Sequence, residues 1–181
     1  MRSRRRPVRT ASRVPILWVA VIVLGVATWF YYTHRAPVSG ESIAVYYTKL
    51  DGTSLGAARV SLRPRAADES TAEHLHNTVF YAAVQAVAGP PNGIKAIRFP
   101  PATRVLGVGI DGSTATVDLS KDVEQQAGGT FGENGEFKAL VYTLTGIRGI
   151  DAVQVTIDGA RVQTLPGGHL ELDEPLHRSD W

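Results

Sequence analysis

Three groups of side chains in this chain have the types and spacing that could do chemistry. His169, Glu171 and Asp173 alternate along a short piece near the C-terminus, with Glu174 beside them. A strand would turn the first three to one side, and an imidazole among carboxylates can move protons or help hold Ca²⁺. Glu73 and His76 are three apart on a helix-like stretch, so they share a face and offer a metal two ligands. His74 and His76 are two apart and point away from each other. Asp118 and Asp122 flank Ser120, two acids of the kind that glycosidases pair.

Each group falls short of a complete set. The acids after His169 lack EF-hand spacing, and Glu73 with His76 makes only half a metal site. No serine stands in a Gly-x-Ser-x-Gly elbow. The plainer expectation is a turn with solvated acids at 169–174, a wet helix start at 73–77, and Ser120 or Asp122 capping the turn after a strand. Gly128, Gly129, Gly132 and Gly135 precede a helix, where N–H groups can hold an anion. Their spacing is neither a dinucleotide fingerprint nor a P-loop, and Glu133 and Glu136 would repel phosphate, so this stretch reads as a flexible loop into a helix cap. No catalytic residue, cofactor or metal is expected. For contacts with a ligand or partner the candidates are Tyr46, exposed if Val45 and Tyr47 face inward, and His169, Glu171 and Asp173.

The chain has 181 residues and no cysteine, which excludes disulfides, thiolate metal sites and a lipidated cysteine anchor. The sequence pI is 9.0, but the basic charge is gathered at the front. Arg2, Arg4, Arg5, Arg6, Arg9 and Arg13 lie within residues 1–13, whereas beyond Arg35 there are 12 basic and 17 acidic side chains. That mildly acidic remainder weighs against a nucleic-acid partner, which needs clustered positive surface.

Residues 14–32 carry no charge and are long enough, as a helix, to cover most of a hydrocarbon core of about 30 Å. The arginines before them and the aromatic cluster Trp29 to Tyr32 at their end predict a single-pass anchor with a cytoplasmic N-terminus. The competing expectation is a cleaved signal peptide, for which Val38-Ser39-Gly40 is a poor cleavage site. A linker at 33–42 leads to an exported domain at 43–178.

Within that domain the hairpin of residues 104–120 is the organising element. Asp111-Gly112 supplies its turn, and Ala115, Val117 and Leu119 alternate with Thr114, Thr116 and Asp118. Ile43–Tyr47 and Ala58–Arg63 read as an earlier strand pair. Ser70 with Glu73 has capping-box spacing ahead of a helix that Gly89-Pro90-Pro91 stops. Thr130 with Glu133 repeats that spacing before Phe137, Leu140, Val141 and Leu144, with Gly146 as the C-cap. Val153, Val155 and Ile157, then Ala160, Val162 and Thr164, read as a last hairpin around Asp158-Gly159. The expected fold is α+β in the order β-β-α-β-β-α-β-β, two helices covering one face of a mixed or antiparallel sheet.

Val45-Tyr46-Tyr47 with Asp51-Gly52, Ala86 to Pro90, Pro100 to Thr103, and Ala115 to Ser120 carry a family pattern together. Tyr142 to Thr145, Ile157-Asp158-Gly159, Gly167 to Leu170 and Glu174 to Leu176 complete it. Their order resembles the GerMN domain of sporulation and germination proteins, over nearly all of the exported part. The resemblance implies a membrane-tethered envelope protein without catalytic residues, related to ring-building modules of sporulation complexes. Three expectations follow. The first is a non-catalytic protein that meets envelope or cell-wall proteins, or copies of itself in a homo-oligomer, through open strand edges. The second is a module for a wall glycan or small ligand, and the third an envelope hydrolase.

Overall fold

A computed structural model of the chain describes residues 23–26, 41–125, 129–166, 168 and 170–181. The chain divides into two compact units, Met1–Ser39 and Gly40–Trp181. Of the first, only Val23 to Val26 are described, as helix, and the expected anchor at 14–32 otherwise lies outside the described residues. Among the described residues no helix is long and apolar enough to cross a membrane.

The second unit is α+β. It runs β1 (Ser42–Thr48), β2 (Leu55–Ser61), α1 (Thr71–Ala88), β3 (Val105–Asp111), β4 (Thr114–Leu119), α2 (Gly129–Leu144) and β5 (Ala152–Ile157). Short 3-10 turns occupy Lys121–Glu124 and Arg178–Asp180. The expected single sheet is instead two. β1 and β2 form an antiparallel pair, and β3-β4-β5 form a second sheet with β4 central. β4 pairs antiparallel with β3 and parallel with β5, the latter reached by a crossover through α2.

The local signals that placed the helices hold. The Glu73 N–H donates to Ser70 Oγ at 3.1 Å, and Gly89, at φ +78°, closes α1 with its N–H on the Gln85 and Ala86 carbonyls. Val79, Ala82 and Ala83 of α1 meet Phe137, Leu140, Val141 and Leu144 of α2 in one core with Ala115, Val117 and Leu119 of β4. Phe99 stands edge-on to Phe137 at 5.5 Å between ring centres.

Four expectations are corrected. The strand at 160–164 does not form. Asp158 and Gly159 take the positive φ of a tight turn, but only Ile157 and Ala160 pair across it. Beyond that pair the same edge of β5 is taken by Leu176, which exchanges both main-chain hydrogen bonds with Val153. Second, β5 is buried on both faces rather than alternately wet. The segment after Ala160 covers its polar side, where Gln154 Nε2 donates to the Leu172 carbonyl at 2.7 Å. Third, the glycine-rich stretch is helix from Gly129 on, so Thr130 lies inside α2 and not at its cap. Gly135 admits a close neighbour: the Ile97 side chain lies where a Cβ on Gly135 would go, and Thr48 Oγ1 donates to the Gly135 carbonyl at 2.7 Å. Fourth, Gly146 follows α2 without a positive φ, its N–H on the Thr143 carbonyl at 3.3 Å.

Candidate functional site

Among the described residues, those singled out in the sequence are not brought together. Tyr46 lies on β1 opposite the buried Val45, as expected, but is half-buried. Its ring meets Tyr142 edge-on at 6.0 Å, and the Arg178 guanidinium stands 4.9 Å from the centre of the Tyr142 ring. Arg178 also donates to Thr145 Oγ1 and the Tyr142 carbonyl, so the group ties the C-terminal turn to α2. Glu171 and Asp173 are exposed and belong to no strand, and His169 lies outside the described residues. Glu171 instead borders a shallow groove with Glu174, His177 and Asp180. Glu73 and His76 gather no further ligands: among the described residues no three His, Asp or Glu side chains converge as a metal-holding group.

Ser120 has another task than capping. Its Oγ accepts the Arg104 N–H at 3.1 Å and donates to Asp122 at 3.0 Å, pinning the entry of β3 to the exit of β4. Asp118 accepts from Thr156 Oγ1 at 2.8 Å and from the Gly159 N–H at 2.7 Å.

No local spacing announces the network at the start of α1. Glu69 is buried, with Asn77 Nδ2 on one carboxylate oxygen at 2.7 Å and His74 Nδ1 3.2 Å from the other. The Asn77 hydrogen bond, then that of His74, holds the Glu69 carboxyl below its ordinary range. The second nitrogen of His74 lies 3.2 Å from Glu41, at the entrance to β1.

What the fold leaves open is main chain. In the β1–β2 register the Lys49–Ser54 and Glu41–Leu62 hydrogen bonds fix which residues pair inward, and Ala57 and Arg59 of β2 turn their N–H and C=O groups outward. β2 pairs with β1 alone. β3 is likewise an edge strand. The two-residue turn between Asp111 and Thr114 sets its register, so the N–H and C=O groups of Val108 and Ile110 face away from β4 while their side chains pack against the core. His76 Nε2, 3.0 Å from the Val108 carbonyl, covers one of these groups.

A small α+β domain with two short sheets, two helices and no converging catalytic set among its described residues is the class these observations define. The family model for sporulation and spore germination, Germane, matches residues 44–163. The chain belongs to that family. No curated relative matches it in sequence. Its fold is similar to the first GerMN domain of the sporulation protein GerM from Bacillus subtilis, at 24% identity and a TM-score of 0.59, covering 77% of this chain and 99% of that one. The tandem GerMN domains of GerM align with the same score and identity over 78% of this chain and only 47% of theirs, so this chain spans about half of that pair. A Clostridium perfringens protein assigned as a lipoprotein aligns at 20% identity and a TM-score of 0.50, over 79% of this chain and 91% of its own.

Proposed function

We propose that this chain is a non-catalytic cell-envelope protein of sporulation or germination, tethered by residues 14–32, whose domain outside the membrane works by binding other proteins. The observation that carries the reading is the pair of open edges, β2 and β3, each presenting unpartnered main-chain groups at Ala57 and Arg59 or at Ile110. Such an edge accepts a strand from another chain and gives affinity through main-chain hydrogen bonds. The partners are envelope or wall proteins, or further copies of this chain; the acidic domain does not suit nucleic acid. The family assignment supports the process, and the uncharged run behind six arginines supports the tether.

Proline has no N–H and is tolerated on an edge whose N–H faces outward. Ala57→Pro and Ile110→Pro should therefore leave the domain folded and weaken strand pairing. Crosslinking in intact envelopes should capture the same defined proteins with the wild type in every preparation, and fewer with one of the two variants. Equal capture by the wild type and both proline variants would rule out the edges as the binding surface.

A further inference from the structure

A cleft of about 970 Å³ opens beside the C-terminal half of α1, between the chain leading into β3 and the first turns of α2. Val84, Val87, Phe99 and Val105 line its sides, and Leu50 and Phe131, 58% and 55% exposed, stand at its rim. Two polar side chains in the lining are more than nine-tenths buried, Thr103 at 8% and Glu136 at 5% exposure. The Thr103 hydroxyl has no hydrogen-bond partner among the described residues. A buried hydroxyl left so costs about 1–3 kcal/mol, a penalty that an arriving polar group relieves.

Of the basic groups in the lining, Arg98 is engaged by main-chain carbonyls and Arg104 is largely exposed. Arg98 donates to the carbonyls of Ala88, Pro90 and Ile94, and Arg104 lies 3.9 Å from Asp122. Neither forms a clamp for an anion. The volume falls within the range of about 300–1,000 Å³ typical of small-molecule sites, and apolar walls with a few buried polar groups are their usual lining.

We propose that this cleft binds a neutral small molecule with an apolar body and a hydroxyl or amide head, the head meeting Thr103 and Glu136. Burial, and then the neighbouring Glu133, push the Glu136 carboxyl up to about 8. At neutral pH it is protonated and carries no charge, which suits an uncharged head. Glu136 is the one acid among the described residues of the lining, and an ammonium would first have to draw its proton. The site goes beyond the strand-edge function and is independent of it, since it uses none of the outward main-chain groups of β2 or β3.

The test uses the full chain in lipid nanodiscs and three probes on one ring system: 2-naphthalenemethanol, 2-naphthoate and 2-naphthylmethylamine. Methyl NMR signals of Val87, Thr103 and Val105 should shift saturably with the alcohol at pH 6.5 and little with either charged probe. Thr103→Val, near-isosteric and without the unpartnered hydroxyl, should weaken the alcohol about tenfold. Raising the pH to 9 should weaken it for the wild type but not for Glu136→Gln, which keeps a neutral head at that position. The proposal is overturned by an absence of saturable shifts in the wild type, by the naphthoate or the amine binding as tightly as the alcohol, or by unchanged affinity in Thr103→Val.

Discussion

His76 Nε2 lies 3.0 Å from the carbonyl oxygen of Val108, so a side chain of α1 reaches across to the open edge of β3. A histidine that read as a surface residue of a helix thus covers one of the few main-chain acceptors the sheet leaves bare. Covering edge groups is a common guard against unwanted strand pairing. His76→Ala should lose about 1 kcal/mol of stability and associate with itself at lower concentration. Sedimentation velocity over a concentration series checks this; a variant as monodisperse as the wild type would remove the guarding role.

Glu136 makes stability depend on pH. Its carboxyl titrates near 8 when folded, against an ordinary 4.5, because burial and then Glu133 disfavour the charge. Between those values the folded chain holds a proton that the unfolded chain has released, so stability falls as pH rises through this interval. Glu136→Gln should match the wild type near pH 4 and exceed its Tm by about 5 °C at pH 8. Calorimetry across that range decides it, and a difference that does not change with pH refutes the assignment.

Asp118 serves two donors on β5 and its turn, Thr156 Oγ1 and the Gly159 N–H. Asp118→Ala leaves both without that acceptor and should lower stability by about 2 kcal/mol. Asp118→Asn keeps a carbonyl oxygen at the site and should recover part of the loss. Urea unfolding of both variants measures it; equal losses would mean that the carboxylate charge, rather than its acceptor oxygen, is what counts.

His74 joins the entrance of β1 to the loop before α1 through Glu41 and Glu69. Its removal in His74→Ala should speed amide exchange in residues 63–70 and leave β4 protected. Hydrogen exchange read by mass spectrometry resolves the two regions, and unchanged exchange at 63–70 would show that Asn77, with Arg65 donating to the Glu69 carbonyl, suffices to hold the loop.

Local signals carried the helices and the central hairpin into the sequence. Ser70, Gly89, Gly112 and the alternation of Ala115, Val117 and Leu119 act within a few residues of themselves, and each does what its spacing predicts. The errors come from contacts made at a distance. Gln154 and Thr156 alternate with Val153, Val155 and Ile157, and nothing nearby announces that Leu172 and Asp118 will meet them. Glu133 and Glu136 read as phosphate-repelling acids where a flexible loop enters a helix cap, whereas they are buried on α2. Tyr46, His169, Glu171 and Asp173 carry chemistry that is visible one residue at a time. The open edges belong to register, and the cleft to Thr103 and Glu136, 33 positions apart in the chain.

Leu176 exchanges main-chain hydrogen bonds with Val153 and so closes the far side of β5. A polypeptide in which Leu176 has not yet arrived has an unfinished sheet, with a strand of buried character still bare on one border. The domain therefore cannot complete its fold by adding one element after another in order of synthesis, because β5 waits for a residue made well after it.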